Sequence, residues 1–430
     1  MFLLLAMSLA HAAPICEAAA KLGWREVDGH LMAPENGPLD LRPEPAALVE
    51  MSRMIRGIEA LGTEVVVVVT PPRARVVQSP GRGSAAPRYW LDDRAAFAGI
   101  LQWFRAQGAD APDLMELGLE MGTRGERMFR PEDGHLTAAG SIAAAGMIAD
   151  AIRGQGKYAW LGQSPASLRV DGVDRPRPGA LAAELAEVCK ATSAPSFEQP
   201  RYVLDRAPVD GSLLLADVPE PEVVMVSSSF GNPMFFLPQA LEAEIDAPIL
   251  NITYAGGRVA SAARSWLESE NFRLDKPDVL VWVFGVHHLY GQAAAHGATL
   301  GNAEGFRQLW PLVDGGCNDA NAARVLSLRD DGTLLPATEA AVPTRGHYVV
   351  VESETLRAVD FSLRITYDGG ASETVRLPPD ERAPLRPSAM LALNDAMREA
   401  RIIRIVTPEG TKLDDVKARV CRATNPALAP

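Results

Sequence analysis

The feature that most constrains the fold is a set of short, continuously apolar runs in the first two thirds of the chain. Val65–Val69 is five valines in a row, and Val223–Val226 and Val279–Phe284 have the same character. A strand that is apolar at every position is buried on both faces, which is typical of a parallel sheet covered by helices. Segments with helical spacing, Pro238–Ile245 and Val259–Leu267, alternate with these runs. The sequence therefore predicts an α/β region with a doubly wound parallel sheet.

The pattern changes after Gly315 and Gly316. Phe361–Tyr367 alternates apolar and polar residues, which predicts an antiparallel strand with one buried face. Further short runs that favour strands are Tyr348–Val351, Thr374–Leu377, Ile402–Val406 and Val416–Val420. We therefore expect residues 14–315 to form the α/β domain and residues 316–430 to form a β-sandwich.

The amino terminus resembles a secretory signal peptide. An apolar run from Phe2 leads to Ala10-His11-Ala12, a small-x-small cleavage pattern. The run is much shorter than the roughly 20 residues of a membrane-spanning helix. We expect residues 1–13 to be removed on export.

The cysteines and the charge narrow the class of protein further. Cys16, Cys189, Cys317 and Cys421 fit an oxidising compartment, and none has the C-x-x-C spacing of a zinc site. Four cysteines allow three pairings. We favour Cys16 with Cys189 and Cys317 with Cys421, because each disulfide would then close one candidate domain. The formal net charge of −12 and the scarcity of basic clusters argue against nucleic-acid binding.

Two motifs supply the side chains needed for acyl transfer. Ser229 follows the apolar run Val223–Val226, whereas Asp133 and His135 lie in D-G-H-L-T-A-A-G before an alanine-rich helical run. The serine would attack an acyl carbonyl, the histidine would take its proton, and the aspartate would orient the imidazole. Each motif also has a structural interpretation, because serine after a strand is a common helix N-cap and Asp-Gly is a common turn.

Turns after two further strands are candidates for an oxyanion site. Gly256 and Gly257 follow the run Ile249–Ile252, and His287 follows Val279–Phe284. SGNH hydrolases carry an oxyanion glycine and a G-x-N-D turn after the corresponding strands, with His287 here in the place of the asparagine. Because Asp-x-His precedes the serine in this chain, the motif order would be circularly permuted.

Together with the export signal and the β-rich carboxyl end, these motifs resemble the periplasmic alginate O-acetyltransferases of the AlgX/AlgJ type. Phe230 matches the aromatic residue after the nucleophile, and Thr137 and Gly140 match the continuation of the D-x-H motif. The resemblance implies a periplasmic O-acetyltransferase with an SGNH-like domain, the Ser-His-Asp triad above, no cofactor and no metal. It also implies a carbohydrate-binding β-sandwich and the disulfide pairing favoured above.

The resemblance further implies three partners: an anionic polysaccharide, a membrane-bound acyltransferase that donates acetyl groups, and proteins of a polysaccharide secretion complex. Arg73 and Arg75, in the loop predicted after the first apolar run, are candidates to contact uronate carboxylates. Arg364 and Thr366 share one face of a predicted strand and are further candidates, since arginine binds carboxylates in a bidentate manner. For all four residues, an ordinary solvated position is the alternative.

Two other functions stay open. A carbohydrate acetyl-esterase would use the same residues with water as acceptor, since the outcome depends on how well the site excludes water. A non-catalytic polysaccharide-binding scaffold would keep only the fold. The scaffold is favoured by Ser227, which stands where the family has glycine, and by the acidic composition. No tryptophan follows Trp310, so sugar binding by the carboxyl-terminal region would depend on cations and hydroxyls.

Overall fold

The computed structural model describes most of the chain between residues 15 and 428. The described residues are 15–33, 45–77, 88–154, 158, 167–173, 177–194, 196–197, 200–205, 223–254, 259–270, 272, 276–289, 302–318, 322–335, 341–353, 360–377, 388–407 and 415–428. The predicted signal peptide lies outside them. Within these ranges, no helix has both the length and the apolar character needed to cross a membrane.

Helices dominate the first part of the described chain and strands the last. The helices are α1 (Glu17–Lys21), α2 (Pro45–Glu59), α3 (Arg73–Val77), α4 (Arg88–Ala106), α5 (Leu114–Thr123), α6 (Ala138–Gly154), α7 (Ala180–Val188), α8 (Leu237–Ile245), α9 (Val259–Leu267) and α10 (Asn302–Val313). The strands are β1 (Arg25–Val27), β2 (His30–Met32), β3 (Glu64–Thr70), β4 (Ser167–Val173), β5 (Arg177–Pro178), β6 (Ser196–Phe197), β7 (Pro200–Asp205), β8 (Val223–Ser227), β9 (Ile249–Thr253), β10 (Val279–Gly285), β11 (Ala322–Leu326), β12 (Thr333–Leu335), β13 (Val342–Pro343), β14 (His347–Glu352), β15 (Phe361–Tyr367), β16 (Ser372–Leu377), β17 (Ser388–Ala392), β18 (Glu399–Val406) and β19 (Lys417–Arg422).

The apolar runs form the predicted parallel sheet, in the order β3-β10-β8-β9. Val281 of the central strand β10 pairs with Val66 on one side and with Met225 on the other. Both faces are buried. Val65 and the other odd-numbered valines of β3 pack with α2, α4, α9 and α10, whereas Val66 and Val68 pack with α6 and α8. The prediction of a doubly wound sheet is confirmed.

The β-rich end is built from two antiparallel sheets, ordered β11-β19-β14-β17 and β12-β18-β15-β16, with β13 also paired to β18. In β15, Leu363 and Ile365 point into the core between the sheets, as the alternating pattern predicts. Strand β14 is buried on both faces: Val349 and Val351 join that core, whereas Tyr348 and Val350 pack against the helices of the α/β region. The two regions thus share one packed layer. The division at residues 315 and 316 stays a prediction.

Buried charges also connect the two regions. The Arg307 guanidinium on α10 makes two 2.8 Å contacts with the Glu373 carboxylate on β16 and donates to the carbonyl of Ala392. Arg53 on α2 lies 2.5 Å from the Asp395 carboxylate. We call Arg53, Arg307, Glu373 and Asp395 the bridging cluster.

Both predicted disulfides are present. Cys16 precedes α1 and Cys189 follows α7, and their Cα atoms lie 5.8 Å apart. Cys317, just after α10, is joined to Cys421 of β19. The first disulfide therefore staples two short helices, and the second fastens the last helix of the α/β region to the first antiparallel sheet.

Candidate active site

Asp133 and His135 lie in a loop, residues 129–136, that precedes α6. An antiparallel bridge between Phe129 and Leu136 closes the loop, and the Arg130 N–H donates to the carbonyl of His135 at 3.0 Å. We call residues 129–136 the D-G-H loop.

Thr137 and Gly140 fix the junction between the D-G-H loop and α6. The Thr137 hydroxyl accepts a hydrogen bond from the Gly140 N–H at 2.9 Å and donates one to the carbonyl of Arg127 at 2.6 Å. A Cβ atom on Gly140 would lie only 2.2 Å from the Met128 carbonyl oxygen. The H-x-T-x-x-G spacing therefore has a local cause: a threonine that caps the helix, and a glycine that lets the chain before the loop pass closely.

Ser229 lies just beyond the carboxyl end of β8, in a 3₁₀ turn from Ser229 to Gly231. Gly231 packs tightly, because a Cβ atom there would lie 2.5 Å from Ser227 Cβ and 2.6 Å from Thr253 Oγ1. Ser227 is in strand β8, and Ser228 has an extended backbone with φ −68° and ψ −161°. The turn therefore needs no left-handed residue before Ser229, so serine at 227 brings no backbone strain.

The two segments bring three side chains into line. The Ser229 Oγ lies 2.8 Å from His135 Nε2, and His135 Nδ1 lies 2.5 Å from Asp133 Oδ1. A carboxylate only accepts hydrogen bonds, so Nδ1 carries the imidazole proton and Nε2 accepts from the serine hydroxyl. This tautomer has the free lone pair of a general base directed at Ser229.

Asp133 is 5% exposed and has a partner for each oxygen. Oδ1 also accepts the His135 N–H at 3.0 Å, and Oδ2 accepts the Ala180 N–H at 2.9 Å. Burial alone would raise the pKa of Asp133, but the hydrogen bond and charge of His135 and the backbone N–H groups outweigh it and lower the pKa. The carboxylate is thus held ionised, as the orienting member of a triad must be.

Aromatic rings hold the imidazole. The ring of Phe235 stacks on His135, with centroids 3.8 Å apart and planes 10° from parallel, and Phe230 lies at 5.3 Å. The Ser141 hydroxyl donates to the carbonyl of Phe235 at 2.6 Å. Phe236, the next residue, has φ +77°, a left-handed conformation that a bulky side chain adopts only when its surroundings require it.

The expected loop position of Arg73 and Arg75 is wrong, and so is the alternative that they are solvated. Their contact with uronate carboxylates stays a prediction. Both arginines lie on α3 and are 4% exposed. The Arg73 guanidinium donates to the backbone carbonyls of Leu31, Arg130 and Pro131, so it braces the D-G-H loop. Burial lowers its pKa to about 10, an effect that the nearby carboxylates of Asp133 and Glu132 partly offset.

The other predicted site residues lie in different places. Arg364 is exposed and Thr366 half-buried on the outer face of β15, far in sequence from the D-G-H loop. His287 is in the 3₁₀ turn Val286–Leu289 after β10, and its side chain is not among those that the structure describes. Gly256 and Gly257 lie outside the described residues. Sequence reasoning missed Phe235 and the Ala180 N–H, since an aromatic in an apolar segment and a backbone amide carry no distinguishing signal.

Comparison with known proteins places this geometry in a family. The sequence model described as "SGNH hydrolase-like domain, acetyltransferase AlgX" matches residues 38–286, more than half of the chain. The chain belongs to this family. The matched residues include the D-G-H loop, all four strands of the parallel sheet and the first residue of the turn after β10.

Individual relatives agree with the family assignment. The chain is 24% identical over 293 residues to the alginate biosynthesis protein AlgX of Pseudomonas putida, an alignment that covers 66% of this chain and 58% of that protein. It is 27% identical over 252 residues to the probable alginate O-acetylase AlgJ of the same organism, covering 55% of this chain and 62% of the relative. The chain thus spans less than two thirds of either relative.

A solved structure supports the fold of this AlgX-family chain. The structure of Pseudomonas aeruginosa AlgX superposes with a TM-score of 0.73 at 20% sequence identity, covering 95% of this chain and 99% of that one. The similarity therefore extends beyond the SGNH-like domain into the β-rich end.

Proposed function

We propose that this protein is an acetyltransferase that moves acetyl groups onto hydroxyls of an alginate-like exopolysaccharide, with Ser229 as nucleophile. One observation carries the proposal: His135 lies between Ser229 and Asp133, within hydrogen-bond distance of both, at the carboxyl end of a parallel strand. Membership of the AlgX acetyltransferase family supports the reaction class, and the names of the alginate relatives support the polysaccharide.

In the first half-reaction, Ser229 Oγ attacks the carbonyl carbon of an acetyl donor while His135 Nε2 takes the hydroxyl proton. The imidazolium that forms is stabilised by the ionised Asp133 on its other nitrogen. Collapse of the tetrahedral intermediate breaks the bond to the donor group, which leaves with the proton from Nε2. The product is an acetyl ester on Ser229.

In the second half-reaction, a sugar hydroxyl occupies the position that the donor group left. His135 Nε2 takes the proton of that hydroxyl as its oxygen attacks the acetyl-serine carbonyl. Collapse then releases the acetylated sugar and returns the proton to Ser229 Oγ. No cofactor takes part in either step.

The negatively charged oxygen of each intermediate needs hydrogen-bond donors. We assign this role to the backbone N–H of Ser229, to Gly256 or Gly257, and to His287, from their sequence positions after three adjacent strands. Removal of one such donor typically raises the barrier by about 2.7–4 kcal/mol.

The outer face of the second antiparallel sheet is the proposed polysaccharide contact. Arg364 on β15 stands opposite Arg404 on β18 and Thr374 on β16, and Thr333 on β12 completes the row. Directly opposed cations repel each other, and a uronate carboxylate between them would relieve the repulsion. Thr366 adds a hydroxyl to the same face of β15.

The nucleophile is tested with Ser229→Ala in a mass assay of acetyl transfer from a soluble acetyl ester to an alginate oligosaccharide. We expect turnover to fall by at least about 10⁴-fold while the unfolding transition is unchanged. Ser227→Ala and Ser228→Ala, both buried neighbours, are matched controls that should keep substantial activity. Full activity of Ser229→Ala would refute the assignment.

The same assay separates the alternatives. Acetyl-oligosaccharide that appears only with acceptor supports transfer, whereas free acetate as the sole product would make the protein an esterase. No product of either kind, with oligosaccharide bound, would make it a scaffold. The membrane-bound donor, the secretion-complex partners and the periplasmic location belong to this proposal and follow from the family resemblance.

The polysaccharide contact is tested by retention on immobilised alginate. Arg364→Gln should weaken retention more than Arg376→Gln, because the Arg376 guanidinium on neighbouring β16 is already paired with Asp360. If both variants weaken retention equally, retention depends on the overall charge of the protein and not on a contact at Arg364.

A further inference from the structure

The orienting carboxylate of the proposed triad is held from outside its own loop. Asp133 Oδ2 accepts the N–H of Ala180, the first residue of α7, 47 positions away in the sequence. The N-cap residue of α7 is Gly179, which has no side chain to cap the helix. The Asp133 carboxylate thus accepts the first N–H of the helix and faces the positive end of these nine residues.

The first turn of α7 contacts the D-G-H loop at more than one residue. The Ala182 N–H donates to the carbonyl of Glu132 at 3.2 Å, and a Cβ atom on Gly179 would lie 2.3 Å from that carbonyl oxygen. Only glycine at 179 lets the helix approach the loop so closely. The backbone of Glu132 and the carboxylate of Asp133 are thereby fixed to the same turn of helix.

The position of α7 is itself fixed. Leu181 and Leu185 pack with Ala19, Trp24 and Leu31 in a small separate core, and Cys189, just after the helix, is joined to Cys16. We call α1, β1, β2 and α7 the stapled cap. A second contact of the cap with the loop comes from β2, where the Leu31 N–H donates to the carbonyl of Pro131 at 2.8 Å.

We propose that Gly179 and Ala180 are positioning residues of the active site, which set the place and direction of Asp133 and through it the aim of His135. The proposal rests on the triad assigned above. Asp133 Oδ1 holds the imidazole, and Oδ2 is held by α7, so a displacement of the helix rotates the carboxylate and moves the base away from Ser229. A misplacement of about 1 Å at a reacting group costs on the order of 10²-fold in rate.

Ala180→Pro tests the proposal. Proline replaces the N–H by a methylene, is well tolerated at the first position of a helix, and fits Gly179, whose φ −67° and ψ 154° suit a residue before proline. The matched control is Glu17→Pro, at the first position of α1 in the same stapled cap, where Cys16 has φ −71° and ψ 161°. We expect Ala180→Pro to lower kcat on the order of 10²-fold with KM changed less than about twofold, and Glu17→Pro to change neither.

A double-mutant cycle separates positioning from general damage. In the Asp133→Ala background, Ala180→Pro should lower the residual kcat less than about threefold, because the side chain that the Ala180 N–H positions is absent. An equal fold-loss in both backgrounds, or an equal loss in Glu17→Pro, would overturn the proposal. If Ala180→Pro does not fold, Gly179→Ala takes its place in the same cycle with the same expected outcomes. Full activity of Asp133→Ala alone would instead refute the triad.

Discussion

At two buried places among the residues that the structure describes, charged side chains are paired in opposite ways. In the D-G-H region, the cation Arg73 binds backbone carbonyls, and the carboxylate of Asp133 binds an imidazole and two backbone N–H groups. In the bridging cluster, Arg307 binds the Glu373 carboxylate and Arg53 binds that of Asp395. Arg73 and Asp133 thus each bind uncharged groups in the first place, whereas cation and anion neutralise each other in the second.

The difference separates groups that serve the proposed reaction from groups that hold the two regions of the molecule together. A carboxylate neutralised by arginine would support an imidazolium poorly, whereas Asp133 keeps its full charge for His135. The bridging cluster, in contrast, joins α2 and α10 to the antiparallel sheets through ion pairs. Burial raises the pKa of Asp395, while the Arg307 ion pair outweighs burial and lowers the pKa of Glu373. We therefore expect changes in the first place to affect rate and changes in the second to affect stability.

The largest effect should come from Asp133→Asn. The amide can present its NH₂ to His135 Nδ1, which reverses the imidazole tautomer, so kcat should fall about 10⁴-fold. The free energy of unfolding, measured by denaturant titration at pH 7, should change by less than about 1 kcal/mol for this near-isosteric exchange. A loss of activity below about tenfold would contradict the role given to Asp133.

Arg307→Met should lower the stability of the fold and leave the rate unchanged. Removing one partner leaves Glu373 largely buried without its counter-ion, which costs about 3–5 kcal/mol of stability. Turnover per folded molecule should be unchanged. The double variant Arg307→Met/Glu373→Leu should recover most of the loss, since apolar replacement of a whole buried pair is often neutral. A double variant less stable than the single one would show that the ion pair is not the cause.

The smallest effect concerns pH. Burial, with the charges of Arg73 and Arg127, lowers the pKa of His30 to about 4. The unfolded chain binds the proton near pH 6.5 and the folded chain only near pH 4, so stability should fall as the pH drops from 7 to 4. His30→Gln should remove up to about 3 kcal/mol of this loss in unfolding free energy. Each protein's stability at pH 4 is compared with its own stability at pH 7. An unchanged slope would rule out His30 as the source.

Much of the fold could be predicted because its signals are local. Five consecutive valines specify a strand buried on both faces, and the alternation in Phe361–Tyr367 specifies one buried on a single face. Ser229 could be proposed because strand ends of a parallel sheet gather functional side chains, and Asp133 and His135 because of their D-x-H spacing.

The errors and omissions have a common physical origin. Arg73 is buried because three carbonyls from residues 31, 130 and 131 surround it, and no local pattern shows that those carbonyls lack other partners. The role of the Ala180 N–H is equally hidden, since every residue except proline has that group. Phe235 is one apolar residue among several in its segment. The hydrogen bond from the Ser141 hydroxyl that fixes its carbonyl leaves no pattern in the sequence. Sequence reveals side-chain chemistry, but not which backbone atoms it meets.

The position of β10 has a consequence for the way the site comes into being. This strand is the last of its sheet in the chain, yet it lies between β3 and β8, and the Ser228 N–H beside Ser229 donates to its Val283 carbonyl. As the chain emerges from its amino end, Asp133, His135 and Ser229 all appear before the strand that joins their supports. A fragment that stops short of Val279 would carry every proposed reactive group and leave β3 and β8 without their common neighbour. Assembly of the proposed site therefore depends on a pairing between strands that are far apart in the sequence, the kind of contact that forms slowly.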